Sequence, residues 1–220
     1  MILLFDLDGT LTDPRQGFVG SVRFALERLG AKPPHDEVLA SFIGPPLRGT
    51  FSTLLGTDSA TRVEQAVEAY RERYMELGIY ETRRYDGITE MLDGVRALAD
   101  RVFVATSKPW VSAVKVVRHL GLGDAFDGVY GPELDGSRDD KALLIAHLLE
   151  REGVPADQAV MVGDRAADIV AATANAVEPI GVLWGYGSAE ELRNAGARRL
   201  VGTPAGLVEE LRRIGTTPGI

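Results

Sequence analysis

The chain opens Ile2-Leu3-Leu4-Phe5-Asp6-Leu7-Asp8-Gly9-Thr10, four apolar residues that stop abruptly at a carboxylate. Three further apolar runs end as abruptly, in small or polar residues or a glycine-rich stretch. Val102-Phe103-Val104-Ala105 precedes Thr106, Ala159-Val160-Met161-Val162 precedes Gly163-Asp164, and Pro179 to Leu183 runs into Trp184-Gly185-Tyr186-Gly187. Gly128-Val129-Tyr130 is a weaker fifth. Short, continuously apolar runs separated by helical patterns read as buried strands of a parallel sheet. Ile88, Met91, Leu92, Val95 and Leu98 supply one such helical pattern; Leu143, Leu144, Ala146 and Leu148, capped by Asp139 or Asp140, supply another. The expected fold is therefore α/β, a doubly wound, mostly parallel sheet with right-handed crossovers.

The interval between the first two strands is too long for an ordinary crossover of a dozen or more residues. It carries Phe18, Val22, Ala25, Leu26 and Leu29 on one helical face, and Ala60, Val63, Val67, Tyr70, Tyr74 and Leu77 on another. Pro33-Pro34 and Gly44-Pro45-Pro46 break the path between them. Residues 14–82 read as an inserted helical domain, and 1–13 with 83–220 as the α/β core. The other reading is an elaborate crossover packed on the sheet.

In open α/β sheets, ligands bind beyond the carboxyl ends of the strands. Asp6, Thr106 and Asp164 all fall there. A carboxylate can attack phosphorus while a second carboxyl protonates the leaving oxygen, and Asp6 and Asp8 are spaced to approach one substrate across the turn at Gly9. Two Asp capping a turn would look the same. Asp164 and Asp168 share a face if a helix starts between them; as plain alternatives, one caps that helix and the other complements its dipole. Oxygen ligands of this kind suit magnesium. Thr106 and Ser107 offer hydroxyls and backbone N–H groups to a phosphate, and Lys141 offers positive charge at a helix start.

Composition sets the frame for that chemistry. The 220-residue chain is 45% hydrophobic and 25% charged, ordinary for a globular protein. Its net charge of −8 and scattered Arg pairs point away from a nucleic-acid polymer. No apolar stretch approaches a membrane span, and the apolar start lacks the basic flank of a signal peptide. Cys is absent, so thiolate chemistry and disulfides are excluded, and a reducing, cytoplasmic setting is expected. Of the 24 basic residues only Lys32, Lys108, Lys115 and Lys141 are lysine, which gives a lysine inside a motif extra weight. His35, His119 and His147 have no metal-ligand spacing, and residues 215–220 read as a disordered tail.

Taken together, D-L-D-G-T-L at 6–11, V-F-V-A-T-S at 102–107, Lys141 in D-D-K-A-L-L-I and V-M-V-G-D-R-A-A-D-I at 160–169 resemble the four motifs of the haloacid dehalogenase superfamily, mostly phosphatases. F-I-G-P-P-L at 42–47 and G-V-L-W-G-Y-G-S-A-E-E-L at 181–192 are similar to its phosphoglycolate-phosphatase-like and 5'-nucleotidase-like branch, which carries a helical cap. The resemblance implies Asp6 as phosphoryl acceptor and Asp8 as acid/base. It implies Mg²⁺ held by the Asp6 carboxylate, the Asp8 backbone carbonyl and Asp164, with Asp168 close behind. Thr106 and Lys141 would bind the phosphoryl oxygens, with Ser107 beside them. Ser107 stands where many relatives have Asn, and Ala142 where many have Pro. Arg48 is the candidate cap contact with substrate. The expected partner is a small phosphorylated metabolite; phosphoglycolate, a nucleoside monophosphate and a specialised ester all fit, and these motifs do not encode oligomeric state. A phosphosugar mutase is the rival enzyme, and a non-catalytic phosphate-binding module the rival outside catalysis. A dehalogenase has no use for Asp8.

Overall fold

The computed structural model describes residues 1–135 and 137–215. Most of the expected tail, 216–220, lies outside them. The chain divides into two units, Met1–Asp13 with Arg84–Ile220, and Pro14–Arg83.

The first unit is built on six strands: β1 (Ile2–Phe5), β4 (Arg101–Ala105), β5 (Gly128–Tyr130), β6 (Ala159–Gly163), β7 (Glu178–Val182) and β8 (Arg199–Val201). A short ribbon of β2 (Thr12–Asp13) and β3 (Arg83–Arg84) lies where the chain leaves this unit and returns to it. The six strands run in the order β5-β4-β1-β6-β7-β8, and every pairing among them is parallel. Strand order thus reverses beside β1, between its neighbours β4 and β6, and a crevice opens beyond the carboxyl ends at such a switch point.

Burial on both faces explains the unbroken apolar runs. Ile2 and Leu4 of β1 join Phe103, Ala105, Ala159 and Met161 in one cluster, closed by Ile145, Leu148 and Leu149 of α7 (Lys141–Glu152) and Ala171 and Ala172 of α8 (Ala166–Ala174). Alternation sends Leu3 and Phe5 to the opposite face, where Phe5 meets Phe126 edge-on at 6.4 Å between centroids. The remaining helices are α5 (Ile88–Arg96), α6 (Trp110–His119), α9 (Ala189–Asn194) and α10 (Pro204–Gly215), with α5 and α10 packed on each other. Phe5 is level with Val104 on one side and Val162 on the other. This register brings the residues following β1, β4 and β6 to one rim.

The second unit contains α1 (Arg15–Arg28), α2 (Asp36–Ala40), α3 (Leu47–Leu55) and α4 (Ala60–Arg73). Tyr70 is its aromatic hub, edge-on to Phe18 and Phe51 and stacked on Tyr74 at 5.2 Å. α4 runs into a π-helical turn, Tyr74–Gly78. The wider turn breaks the 3.6-residue period, so Leu77, expected on the buried face, is 54% exposed. It also sets Gly78 against Gly17 of α1, where a Cβ on Gly17 would overlap the Gly78 carbonyl.

Two other sequence expectations shift. Of the apolar pattern expected in α7, Leu144 and Leu148 are buried together with Ile145 and Leu149, whereas Leu143 is 64% exposed. The fourth strand starts at Glu178 and ends at Val182, leaving Leu183 outside. No helix among the described residues is long and apolar enough to cross a membrane.

Candidate active site

The rim is organised by the turn after β1. Asp6 N–H still donates to Val162 O at 2.9 Å, so Asp6 is fixed to the sheet. The chain then reverses: Leu11 and Thr12 N–H both donate to Leu7 O, and Gly9 N–H donates to Thr12 O at 2.7 Å. Gly9 sits at φ +93°, and a Cβ there would overlap the Asp164 carboxylate. Only glycine satisfies both the dihedral and the space.

Asp164 follows β6 and is fully buried. Its Oδ1 accepts from Thr10 Oγ1 at 3.0 Å and its Oδ2 from Tyr186 N–H at 2.8 Å. Burial first, then the negative charges of Asp168 and Asp6, push its pKa up to about 7. The glycine-rich loop after β7 makes this packing possible, because side chains at Gly185 or Gly187 would collide with Asp164. Trp184 Nε1 donates to Thr10 O at 2.8 Å, and the Tyr186 hydroxyl donates to Asp13. The loop is therefore a structural wall of the rim.

Asp164 and Asp168 do not meet by sharing a helical face. α8 begins only at Ala166, with Arg165 as its cap residue; Asp168, in the third helical position, accepts from Arg165 N–H at 2.9 Å through Oδ2. That contact turns the other Asp168 oxygen toward Lys141, whose Nζ donates to Asp168 Oδ1 and to Asp6 Oδ1, the latter at 2.7 Å. Asp140, rather than Asp139, caps α7 by accepting from Ala142 and Leu143 N–H at 2.7 and 3.1 Å, so Lys141 is the first helical residue. A cation is unfavourable at that end of a helix dipole. Burial also opposes the ammonium, yet Asp168 and Asp6 outweigh it and raise the Lys141 pKa above its ordinary value.

Asp8 is held at both oxygens. Thr12 Oγ1 donates to Oδ1 at 3.2 Å, and Lys108 forms an ion pair at Oδ2. Burial leads in raising the Asp8 pKa, with Lys108 opposing it and Asp6 adding to it. Thr106 is buried at the end of β4, where its N–H donates to Tyr130 O at 3.0 Å, and Ser107 beside it is half-buried. Arg48 belongs to the other unit, on α3, and pairs with Glu64 of α4. Thr10 and Lys108 are the neighbours that motif reading did not assign.

One oxygen each from Asp6, Asp164 and Asp168 lies within 4.8 Å of the others. Four carboxylates, Asp6, Asp8, Asp164 and Asp168, face two ammonium groups, Lys108 and Lys141, a deficit of two positive charges. The partners of Asp164, Thr10 and Tyr186, are neutral. An all-oxygen donor set short of two positive charges fits a hard divalent cation.

The family model for haloacid dehalogenase-like hydrolases matches residues 3–182. The chain belongs to that family and stands among its phosphatases. It is 49% identical to the 5'-nucleotidase of Pseudomonas aeruginosa, over 87% of this chain and 86% of that protein. It is 36% identical to tyrosine-protein kinase PtkA of Mycobacterium tuberculosis, over 96% of this chain and 71% of that one. The crystal structure of a predicted phosphatase from Clostridium acetobutylicum superposes with a TM-score of 0.92 at 35% identity, covering 96% of this chain and 98% of the other.

Proposed function

We propose that the protein is a Mg²⁺-dependent phosphomonoesterase that hydrolyses a small phosphorylated metabolite through a phosphorylated Asp6. The observation that carries this reading is the buried Asp6–Lys141–Asp168 bridge beside Asp164, which holds one carboxylate against an ammonium and leaves an excess of negative charge that a divalent cation would balance before a dianion enters. An Asp6 oxygen attacks phosphorus, and Asp8 gives a proton to the departing alcohol oxygen. Asp8 then takes a proton from the water that attacks the acyl phosphate, releasing phosphate and restoring Asp6. Lys141 offsets charge on Asp6 and on the phosphoryl oxygens, and the hydroxyl and N–H groups of Thr106 and Ser107 receive those oxygens. Asp6, the Asp8 carbonyl and Asp164, with Asp168 behind them, would hold magnesium, which would supply charge neutralisation for the transferring group.

The nucleotidase relative favours a nucleoside 5'-monophosphate, with phosphoglycolate as the smaller alternative. Substrate choice is assigned to Pro14–Arg83 acting as a cap, with Arg48 as contact residue, its guanidinium held by Glu64. A chain without cysteine suits the cytoplasm. A phosphosugar mutase would use the same Asp pair and return phosphate to a sugar hydroxyl; an isomerised hexose phosphate in place of free phosphate identifies it. The deciding measurement is Mg²⁺-dependent phosphate release from p-nitrophenyl phosphate and from nucleoside monophosphates, abolished in Asp6→Asn. Undiminished turnover in that variant removes Asp6 as nucleophile.

A further inference from the structure

Lys108 lies two residues beyond Thr106, in a loop, where a lysine ordinarily reaches solvent. Its side chain is instead only 7% exposed and is paired with Asp8, itself 17% exposed. Removing an ammonium from water costs several kcal/mol, so its direction is fixed by the fold and not by chance.

The loop backbone shows how. Lys108 N–H donates to Thr106 Oγ1 at 3.2 Å, which curls the chain immediately after β4. The Lys108 carbonyl lies so close to Gly131 that any side chain there would overlap it. Trp110 N–H donates to Pro132 O at 2.9 Å, and Pro109 precedes α6 at φ −50°. The segment 106–110 is thus tied to the residues following β5 on one side and to Thr106 on the other. The side chain that leaves it meets Asp8 Oδ2 while Thr12 holds Oδ1.

We propose that Lys108 is the positioning residue of Asp8, fixing the place and rotation of its carboxyl so that the proton reaches the leaving oxygen. This rests on the acid/base reading of Asp8 given above. Lys108 is set apart from Lys141, which serves Asp6 and Asp168. The proton passed to the departing alcohol is the carboxyl proton of Asp8, and Lys108 keeps its own throughout.

Proton donation matters greatly for an alkoxide leaving group and little for p-nitrophenolate, so the two esters separate this role from phosphate binding. In Lys108→Met, kcat/KM for a nucleoside 5'-monophosphate falls about 100-fold, the low end of what a positioned acid contributes, against about threefold for p-nitrophenyl phosphate. Lys108→Arg keeps the charge with displaced donors and shows the same contrast at about tenfold. In an Asp8→Asn background, Lys108→Met adds no further loss on the nucleotide, because the two act as a unit. Equal losses on the two esters, or additive losses in the double variant, overturn the proposal. Should Lys108→Met not fold, judged by its thermal transition, the ester contrast in Lys108→Arg decides. Asp6→Asn assayed alongside keeps the cases apart: activity there defeats the Asp6 mechanism, whereas an inactive Asp6→Asn with no ester contrast at Lys108 defeats only this proposal.

Discussion

Replacing Asp164 by Asn should make the metal-free protein more stable, and the size of the gain follows from the site. The carboxyl is fully buried and its pKa moves from an ordinary 3.8 to about 7. Since the folded value lies above the unfolded one, the native state binds the proton more tightly. The penalty is absent below pH ~4, grows as pH rises toward 7, and is complete above it. Holding that group ionised costs on the order of 4 kcal/mol, of which relaxation and water entry relieve about half. The substitution leaves local hydrogen bonding intact: the amide oxygen can accept from Tyr186 N–H while the amide N–H₂ donates to Thr10 Oγ1, whose hydroxyl rotates. A gain of about 2 kcal/mol raises Tm by about 4–8 °C in a chain of this length. Differential scanning calorimetry at pH 8 in EDTA measures it, and the gain should shrink as pH falls and vanish only below pH ~4. With Mg²⁺ at 100 times its Kd, the wild type gains about 2.7 kcal/mol that the variant cannot, and the order reverses. A variant that melts at or below wild type at pH 8 in EDTA refutes the charge deficit on which the cation assignment rests.

Two further substitutions probe the same rim. Lys141→Met strips the cation from buried Asp6 and Asp168; breaking such a pair costs about 3–5 kcal/mol, so calorimetry should show a large drop in Tm, and phosphate release should fall about 10³-fold. An unchanged Tm would contradict the ion-pair assignment. Gly9→Ala forces a Cβ into the Asp164 carboxylate at φ +93°. The backbone strain is about 1–2 kcal/mol, and displacement of the rim should lower kcat/KM about 10²-fold while far-UV circular dichroism stays unchanged.

The sheet was legible because its central strands, β1, β4 and β6, are buried on both faces, so each appears as an apolar run that stops at a small or polar residue. β8, Arg199-Leu200-Val201, escaped because it is short and starts on a charged residue, and β2 and β3 because two residues carry no period. Leu77 and Leu143 show a different limit. Helical periodicity marks candidate faces, but a π-helical turn resets the count after Tyr74, and α7 offers more leucines than its buried stripe can take. Around the site, Asp6, Asp164, Asp168 and Lys141 could be singled out only in combination, by their shared place at the strand ends and the order of the family's motifs, yet the way they join could not. Asp168 reaches Lys141 because it closes the cap of α8, a relation set by one hydrogen bond to Arg165. Lys108 reads as an ordinary loop residue until Thr106 and Gly131 are seen to aim it; the one available hint was its place among four lysines in a chain that otherwise uses arginine.

The central position of β1 has a consequence for biosynthesis. Ile2–Phe5 is synthesised well before its two partners, residues 101–105 and 159–163. At ~5–20 residues per second, the first partner follows after about 5–20 s and the second several seconds later. Throughout that time four apolar residues have no sheet to join, while the contiguous stretch Pro14–Arg83, with aromatic packing of its own, can already condense. This early segment therefore waits for its shelter, and the carboxylate that follows it, Asp6, can be set at its rim only once the chain through residue 163 has been made.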